Sequence, residues 1–362
     1  MALDPIAFKA MRNLVAALIA IFLTQGAVAQ KPFPKGVMVV EPVNDDSNYR
    51  NWAAWSDPNV KGILLRVNWS DVQLLSTSDT ISWTYFEDVL QYNKQHNFGK
   101  WFVLSVNGAQ PPSFVYSGIP AVPKWTSSTG GTCPYPWDTN LQGYWSTLIS
   151  AMGAKFDGDQ AIHGVTMWAG GTAIECFFAR DQNDDNKLDS IAHDGSGNGW
   201  MLWEAAAKTL INDYMSAFPT TACYLACGQD YFGANEKPSM GDLASWFYNL
   251  RLASNGLQSN AETNHYPFYD SAYGYWTFPD TTLNCANYSL IMYQLLDPVG
   301  SPNMPTDATV ANCLSNGGPP QDAGTGPSAN GNAEAIQLYP GDPAKDGTGE
   351  PDLVDFNQDQ GL

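Results

Sequence analysis

Short apolar runs recur along the chain at intervals that suit alternating strands and helices. Eight of these runs are nearly continuous, as expected for strands that are covered on both faces. They are residues 36–40, 62–67, 101–106, 162–168, 222–226, 256–259, 290–293 and 335–339. The pattern predicts a parallel sheet of eight strands.

Segments of helical periodicity separate several of these runs. Apolar residues recur every three or four positions within residues 86–90, 145–156, 203–214 and 243–250. A strand followed by a helix, repeated eight times, is typical of a (β/α)8 barrel, so we predict an α/β protein of the TIM-barrel class with long βα-loop insertions. The alternative is a doubly wound open sheet. That fold usually has a glycine-rich phosphate turn after its first strand, and residues 43–46 read Val-Asn-Asp-Asp instead.

The N-terminal residues have the pattern of an export signal. Lys9 and Arg12 precede an apolar run at residues 14–23, and Ala27-Val28-Ala29 offers a small-residue cleavage site. We therefore expect residues 1–29 to be a signal peptide and residues 30–362 to form one secreted domain. A membrane-spanning helix needs about 20 apolar residues, so we expect no membrane insertion after cleavage.

Charge and aromatic content narrow the class of ligand. The chain of 362 residues has 17 Lys and Arg against 36 Asp and Glu, a formal net charge of −19. Such a charge repels phosphate backbones and anionic lipids, which argues against nucleic-acid and membrane-surface partners. Aromatic residues make up 13% of the chain, and their rings are good platforms for flat, neutral ligands. A neutral glycan is the expected partner.

The six cysteines predict disulfide bonds in an exported protein. They are Cys133, Cys176, Cys223, Cys227, Cys285 and Cys313. Fifteen pairings are possible, and we favour Cys133 with Cys176 and Cys285 with Cys313. A zinc site is the alternative, but no second thiol pair or histidine pair follows Cys223 and Cys227 at zinc-binding spacing.

An acidic segment after the fourth strand resembles the first part of a calcium-binding loop. Its candidate ligands are Asp181, Asn183, Asp185 and Asp189. The match is incomplete, because Asn186 replaces the turn glycine and Ala192 stands where an acidic residue is expected. The alternative is a solvated acidic loop. We expect a calcium ion here to be structural, and we expect no organic cofactor.

Polar and aromatic residues follow the predicted strands, where a (β/α)8 barrel has its active site. The candidate sugar-binding residues are Arg66, Trp69, Asn107, Trp168, Gln258, Asn260, Tyr293, Gln294, Gln337 and Tyr339. The chain has no HExxH pair, GxSxG elbow or phosphate loop. Metalloprotease, serine-hydrolase and kinase chemistry are therefore not expected. The catalysis left to consider uses carboxylate side chains, and the main reaction of that kind is glycoside hydrolysis.

Three stretches at the start of the barrel carry a resemblance to a known group of enzymes. They are Gly-Ile-Leu-Leu-Arg-Val-Asn-Trp-Ser-Asp-Val at 62–72, Ile-Ser-Trp-Thr-Tyr-Phe-Glu at 81–87 and Lys-Trp-Phe-Val-Leu-Ser-Val at 100–106. Residues 144–158 and 162–175 continue the pattern. The chain resembles secreted (β/α)8 glycoside hydrolases of clan A, notably the bacterial beta-galactosidase and cellulase families.

This resemblance implies roles for particular residues. It makes Glu175, in the loop after strand four, the general acid/base, and Arg66 the arginine that positions the nucleophile. Gln294 stands where the clan has its nucleophilic glutamate on strand seven, and a glutamine cannot form the glycosyl ester. Glu262 is the first substitute and Asp297 the second.

Three functions therefore remain open. The leading hypothesis is a secreted glycoside hydrolase that acts on a neutral poly- or oligosaccharide. The second is a noncatalytic carbohydrate-binding protein, and the third is a structural surface protein.

Overall fold

Eight parallel strands close into a barrel in the computed structural model of the chain. In chain order they are β1 (Gly36–Val40), β2 (Val60–Asn68), β3 (Trp101–Asn107), β4 (Ile162–Met167), β5 (Ala222–Cys227), β6 (Asn255–Asn260), β7 (Ile291–Gln294) and β8 (Ala333–Leu338). Each strand pairs with its sequence neighbour, and β8 pairs with β1 to close the barrel. The prediction of a (β/α)8 barrel is confirmed.

The structure describes residues 31–75 except 33 and 35, and residues 81–127, 130–171, 182–191, 199–227, 255–260, 269–270, 275–276, 291–294 and 333–338. Strands after residue 227 are described by backbone position and register. The described residues belong to one compact unit, Lys31–Leu362. No helix within these ranges is long and apolar enough to cross a membrane. The expected signal peptide lies outside them.

Six helices accompany the described strands. They are α1 (Trp69–Val72), α2 (Thr84–His96), α3 (Ser113–Ser117), α4 (Thr139–Phe156), α5 (Gln182–Ile191) and α6 (Gly199–Ala217). The predicted apolar stripes at 86–90, 145–156 and 203–214 fall in α2, α4 and α6. The stripe at 243–250 lies outside the described residues. Two short 3-10 turns, Tyr49–Asn51 and Ala53–Trp55, follow β1, and two hairpins occur at residues 124–134 and 269–276.

The lower half of the barrel interior is apolar. Its buried side chains are Met38, Val40, Leu64, Trp101, Val103, Ala222 and Tyr224. Gly62 leaves space for one of them, because a Cβ at that position would lie 2.1 Å from the Trp101 ring. Alternate residues of the same strands, such as Ile63 and Leu65, pack in the outer core layer. This alternation is the two-residue period of a strand.

Asp138 fixes the start of α4, which packs closely on α6. The Asp138 carboxylate accepts hydrogen bonds from the backbone N–H groups of Asn140 (2.9 Å) and Leu141 (3.1 Å), which makes it the N-cap. Gly153 brings the two helices together, because a Cβ there would lie 2.2 Å from the carbonyl oxygen of Ala217. Both helices begin on the side of the barrel where the strands end.

Both cysteines whose side chains are described are free and buried, Cys133 and Cys223. Cys176 lies outside the described residues, so the favoured pairing of Cys133 with Cys176 stays a prediction. Cys133 lies on the hairpin, opposite Trp125, and burial raises the pKa of its thiol to about 11. The pairing of Cys285 with Cys313 lies outside the described residues.

Candidate functional site

The upper half of the barrel interior, toward the C-terminal ends of the strands, is polar. In β2 and β3 the interior positions that follow Leu64 and Val103 are Arg66, Asn68, Ser105, Asn107, and in β4 the corresponding position is Thr166. Strand register supports this grouping, because Arg66 pairs with Ser105, Asn68 with Asn107, and Ser105 with Thr166. We call these five residues the polar mouth. Active sites of this fold lie at the same end of the barrel.

Arg66 is held in place by the chain segment that follows β1. Its Nε and Nη2 atoms donate to the backbone carbonyl of Glu41 at 3.0 and 2.8 Å. In return, the Asn44 N–H donates to the Arg66 carbonyl at 2.8 Å. The two bonds converge on one oxygen and hold the guanidinium against this carbonyl. The structure thus places Arg66 at the mouth, and its contact with substrate stays a prediction.

Glu41 is a buried carboxyl beside this arginine, and it stands directly after the first predicted strand. Its side chain is only 4% exposed. Burial raises its pKa to about 8, and the Asp45 carboxylate makes a smaller contribution in the same direction. The positive charge of Arg66 lowers the pKa, but by less than burial raises it. The Tyr85 hydroxyl, whose pKa burial also raises, lies near the same three charges. Because Tyr85 belongs to the outer core layer, Glu41 lies behind the mouth.

Asn107 and Asn68 join the ends of β3 and β2. Asn107 Nδ2 donates to Asn68 Oδ1 at 3.0 Å, and Asn107 Oδ1 accepts from the Ala109 N–H at 3.0 Å. Asn68 also donates to the Asp71 carboxylate through Nδ2 (3.0 Å) and its backbone N–H (3.1 Å). These bonds hold both amides in fixed orientations. Asn107 itself is 3% exposed, so Asn68 is the more accessible of the two.

Trp69 and Trp168 do not offer rings to a ligand, so their assignment as sugar-binding residues is wrong. Their exposures are 0% and 1%. Both pack edge-on against Trp145 of α4, with ring centroids 5.1 and 4.8 Å away. Their indole N–H groups are also used, by Gln73 Oε1 and the Gly171 carbonyl, each at 2.8 Å. The three rings form the core between barrel and helices.

The amide-bearing positions of β6, β7 and β8 share one face of the sheet. Gln294 pairs in register with Asn260 and with Gln337. Gln337 pairs with Met38, which lies on the interior face. Gln258, two residues before Asn260, is on the same face. The positions of Gln258, Asn260, Gln294 and Gln337 are therefore brought together as expected, with Gln294 at the end of β7.

Tyr293 occupies a position on the opposite face. It pairs in register with Ile336, and Ile336 pairs with Val37 of the outer core layer. This register does not group position 293 with the amide-bearing positions of β6, β7 and β8, and a role of Tyr293 in the sugar site stays a prediction.

The remaining candidate residues follow β4, β6 and β8 in the sequence. Glu175, Glu262, Tyr339 and Asp181 lie outside the described residues. The segment that contains Asn183, Asp185 and Asp189 forms helix α5 and not the expected loop. In a helix, positions 183 and 185 are about 200° apart around the axis. Calcium binding there stays a prediction; among the described residues, no group of three or more potential ligands is arranged around a metal position.

Comparisons with known proteins bear on the fold. No protein-family model matches the sequence, and no curated protein matches it. Among solved structures, the catalytic domain of a beta-amylase from Paenibacillus polymyxa is similar, with a TM-score of 0.60 and 11% sequence identity over 91% of this chain and 98% of that chain. The chain has the barrel fold of this beta-amylase domain. A beta-galactosidase from the psychrophilic Marinomonas ef1 has a TM-score of 0.48 and 12% sequence identity, and the match covers 84% of this chain and 53% of that chain.

The resemblance to (β/α)8 glycoside hydrolases is thus confirmed for the fold. At 11% identity the likeness carries no residue roles. The polar mouth itself consists of neutral amides and hydroxyls around one arginine, with the Asp71 carboxylate bonded to Asn68 at its edge. Such groups donate and accept hydrogen bonds without a net negative charge, which suits hydroxyl-rich, uncharged ligands.

Proposed function

We propose that the protein is a secreted glycoside hydrolase that acts on a neutral poly- or oligosaccharide at the polar mouth. The observation that carries the proposal is the division of the barrel interior into an apolar lower half and a polar upper half. The fold shared with the beta-amylase catalytic domain supports it. The net charge of −19 disfavours anionic glycans.

In the proposed reaction, Glu175 donates its proton to the glycosidic oxygen as the bond from that oxygen to the anomeric carbon breaks. A second carboxylate, for which Glu262 is our first choice and Asp297 the second, either attacks the anomeric carbon or takes a proton from the attacking water. Water supplies the new hydroxyl group. Arg66, fixed on Glu41, orients groups at the mouth. Gln294 takes no covalent part, because an amide cannot form the glycosyl ester.

Export is part of this proposal. The basic residues, apolar run and small-residue site at positions 1–29 support removal of a signal peptide near Gln30. The next residue, Lys31, is anchored in the barrel unit. Its backbone N–H donates to the Thr220 carbonyl at 3.0 Å, and its Nζ atom donates to the carbonyls of Phe156 and Ile162 at 3.2 Å each. Cleavage before Lys31 leaves these contacts in place.

The test is the substitution Glu175→Gln, assayed by reducing-sugar release on barley β-glucan, xylan, glucomannan and starch. Loss of proton donation should lower turnover by about 10²–10⁴-fold. Activated aryl glycosides need less protonation, so their hydrolysis should fall much less. Glu87→Gln on α2 removes a half-exposed carboxylate and is the matched control. Full activity of Glu175→Gln on the cleaved glycan would contradict the assignment.

A noncatalytic carbohydrate-binding protein is the second candidate function. The position of Gln294 favours it, because the last residue of β7 lies on the interior face and is a glutamine. In that case no glycan is cleaved, while binding to one of the same four polysaccharides is measurable by affinity electrophoresis. Cleavage of any of them by the unaltered protein would exclude this candidate.

A further inference from the structure

An aromatic pair, Tyr135 and Trp137, lies in the long loop between β3 and α4. The two rings have centroids 5.6 Å apart and are tilted by 39°. Both side chains are half-buried, and both pack on the main core through part of their surface. They differ in this respect from Trp69, Trp145 and Trp168, which have almost no exposed surface.

The backbone around the pair is fixed by hydrogen bonds. The Tyr135 N–H donates to the Pro123 carbonyl at 3.1 Å, and the Tyr135 carbonyl accepts from the Asp138 N–H at 3.1 Å. The Pro136 carbonyl accepts from Gln142 Nε2 at 3.2 Å. The rings are therefore held in place before any ligand arrives, which reduces the entropy lost on binding.

The polar tips of the two rings make no hydrogen bond within the described part of the chain. Two nearby tyrosines, one on α3 and one on α4, use theirs. Tyr116 donates its hydroxyl to the Thr132 carbonyl at 3.1 Å, and Tyr144 donates to the Pro120 carbonyl at 3.3 Å. Tyr116 and Tyr144 thus hold the loop together, whereas Tyr135 and Trp137 keep a donor each for another molecule.

The chain around the pair also contacts residues on both sides of the loop that contains Glu175. At the start of that loop, Pro136 lies so close to Gly170 that a Cβ on Gly170 would be 2.6 Å from the Pro136 Cβ. Beyond its end, Lys187 within α5 donates through Nζ to the Thr126 carbonyl of the hairpin at 2.5 Å. The hairpin leads directly into Tyr135. The loop that carries the pair is thus in contact with the chain both before and after Glu175.

We propose that Tyr135 and Trp137 form a subsite that binds one pyranose ring of a neutral glycan next to the loop of Glu175. The apolar C–H face of a pyranose packs on an aromatic ring, and its hydroxyls accept hydrogen bonds from the Trp137 N–H and the Tyr135 hydroxyl. The surrounding acidity disfavours an anionic sugar. The inference rests on the proposed function for the position of the reacting bond.

The experiment measures binding and cleavage separately. Cellopentaose, xylopentaose and maltopentaose are titrated by calorimetry into the unaltered protein and into Tyr135→Ala, Trp137→Ala and Trp137→Phe. Each alanine variant should weaken binding of the bound pentasaccharide by at least about fivefold, the typical value of one aromatic contact. Trp137→Phe keeps a ring and should restore part of the affinity. Tyr144→Phe removes a loop hydrogen bond without touching the pair and should leave the affinity unchanged.

Cleavage distinguishes the subsite from the proposed function. If the protein cleaves a pentasaccharide, the alanine variants should lower kcat/KM on it and leave hydrolysis of an aryl monoglycoside unchanged, because that substrate does not reach the subsite. Cleavage with unchanged affinity in both alanine variants would overturn the subsite alone. Weakened binding without any cleavage would support the subsite and contradict the hydrolase. Failure of the unaltered protein to bind any of the three pentasaccharides would overturn the subsite.

Discussion

At the level of single residues, Glu41 shows how a barrel can contain a carboxyl that water hardly reaches. The arginine beside it bonds to the Glu41 backbone carbonyl and not to the carboxylate. The buried side chain therefore lacks an ion pair within the described residues, and its pKa rises to about 8 from an ordinary 4.5. The sequence places Glu41 directly after the first strand, but only the fold shows its burial.

This pKa predicts a pH dependence of stability. The fold favours the protonated acid, so the stabilising contribution is fully present below about pH 4.5 and is lost as the pH rises to about 8. Within that window the free energy of unfolding should fall by up to about 1.4 kcal/mol per pH unit. Glu41→Gln stays neutral and should gain stability relative to the unaltered protein between pH 5 and pH 8, as measured by urea unfolding.

Asp46→Asn is the control for this experiment, because it removes an exposed carboxylate from the same loop. Its stability relative to the unaltered protein should be nearly independent of pH. An equal difference between Glu41→Gln and the unaltered protein at both pH values would show that Glu41 titrates normally in the fold.

For the aromatic residues, the sequence did not predict which rings face the site and which are buried. Trp69 and Trp168 come directly after strands, where a barrel has its site, yet both rings pack back against Trp145. A ring that follows a strand can turn to the mouth or to the helices, and composition does not distinguish the two. Tyr135 and Trp137 stand outside any strand pattern, so only the fold shows where they lie.

At the level of elements, the eight apolar runs correspond to the eight barrel strands within about two residues at each end. Long apolar runs identify strands of a parallel sheet well, because such strands are covered on both faces. The runs alone do not say which residues share a face, and the register pairs position 293 with Ile336 and not with the amide-bearing positions. The segment 182–191 was expected as a loop because of its oxygen-bearing side chains, but Leu188 and Asp184 are buried in a helix.

The contact between α4 and α6 gives a prediction on two glycines of one helix. A methyl group at Gly153 would lie 2.2 Å from the Ala217 carbonyl oxygen, which is rigid backbone. Gly153→Ala should therefore destabilise the protein by roughly 1–3 kcal/mol. A methyl group at Gly143 would have no neighbouring atom within 4 Å, so Gly143→Ala should stabilise the helix by roughly 0.5–1 kcal/mol. Thermal unfolding of both variants measures the two effects, and a shift of the same sign for both would contradict this account of the packing.

At the level of the whole molecule, closure of the barrel joins the two ends of the described unit. β1 begins five residues after Lys31, and β8 comes from the last tenth of the chain, yet Val37 pairs in register with Ile336. On its other side Ile336 pairs with Tyr293 of β7. A strand with partners on both sides has no free edge, and the polar mouth exists only because the ring is complete.

Substitutions at Ile336 therefore test whether β8 closes the barrel. Proline has no N–H for the ladder and is tolerated in sheets only at edges or bulges. Ile336→Pro should abolish the cooperative thermal transition of the protein, whereas Ile336→Val, which keeps the ladder, should cost only about 0.5–1.5 kcal/mol. The comparison with valine separates a backbone effect from the loss of a side chain. If the proline variant unfolds cooperatively at nearly the temperature of the valine variant, β8 behaves as an edge strand, and the polar residues of β6, β7 and β8 cannot share one enclosed mouth with Arg66.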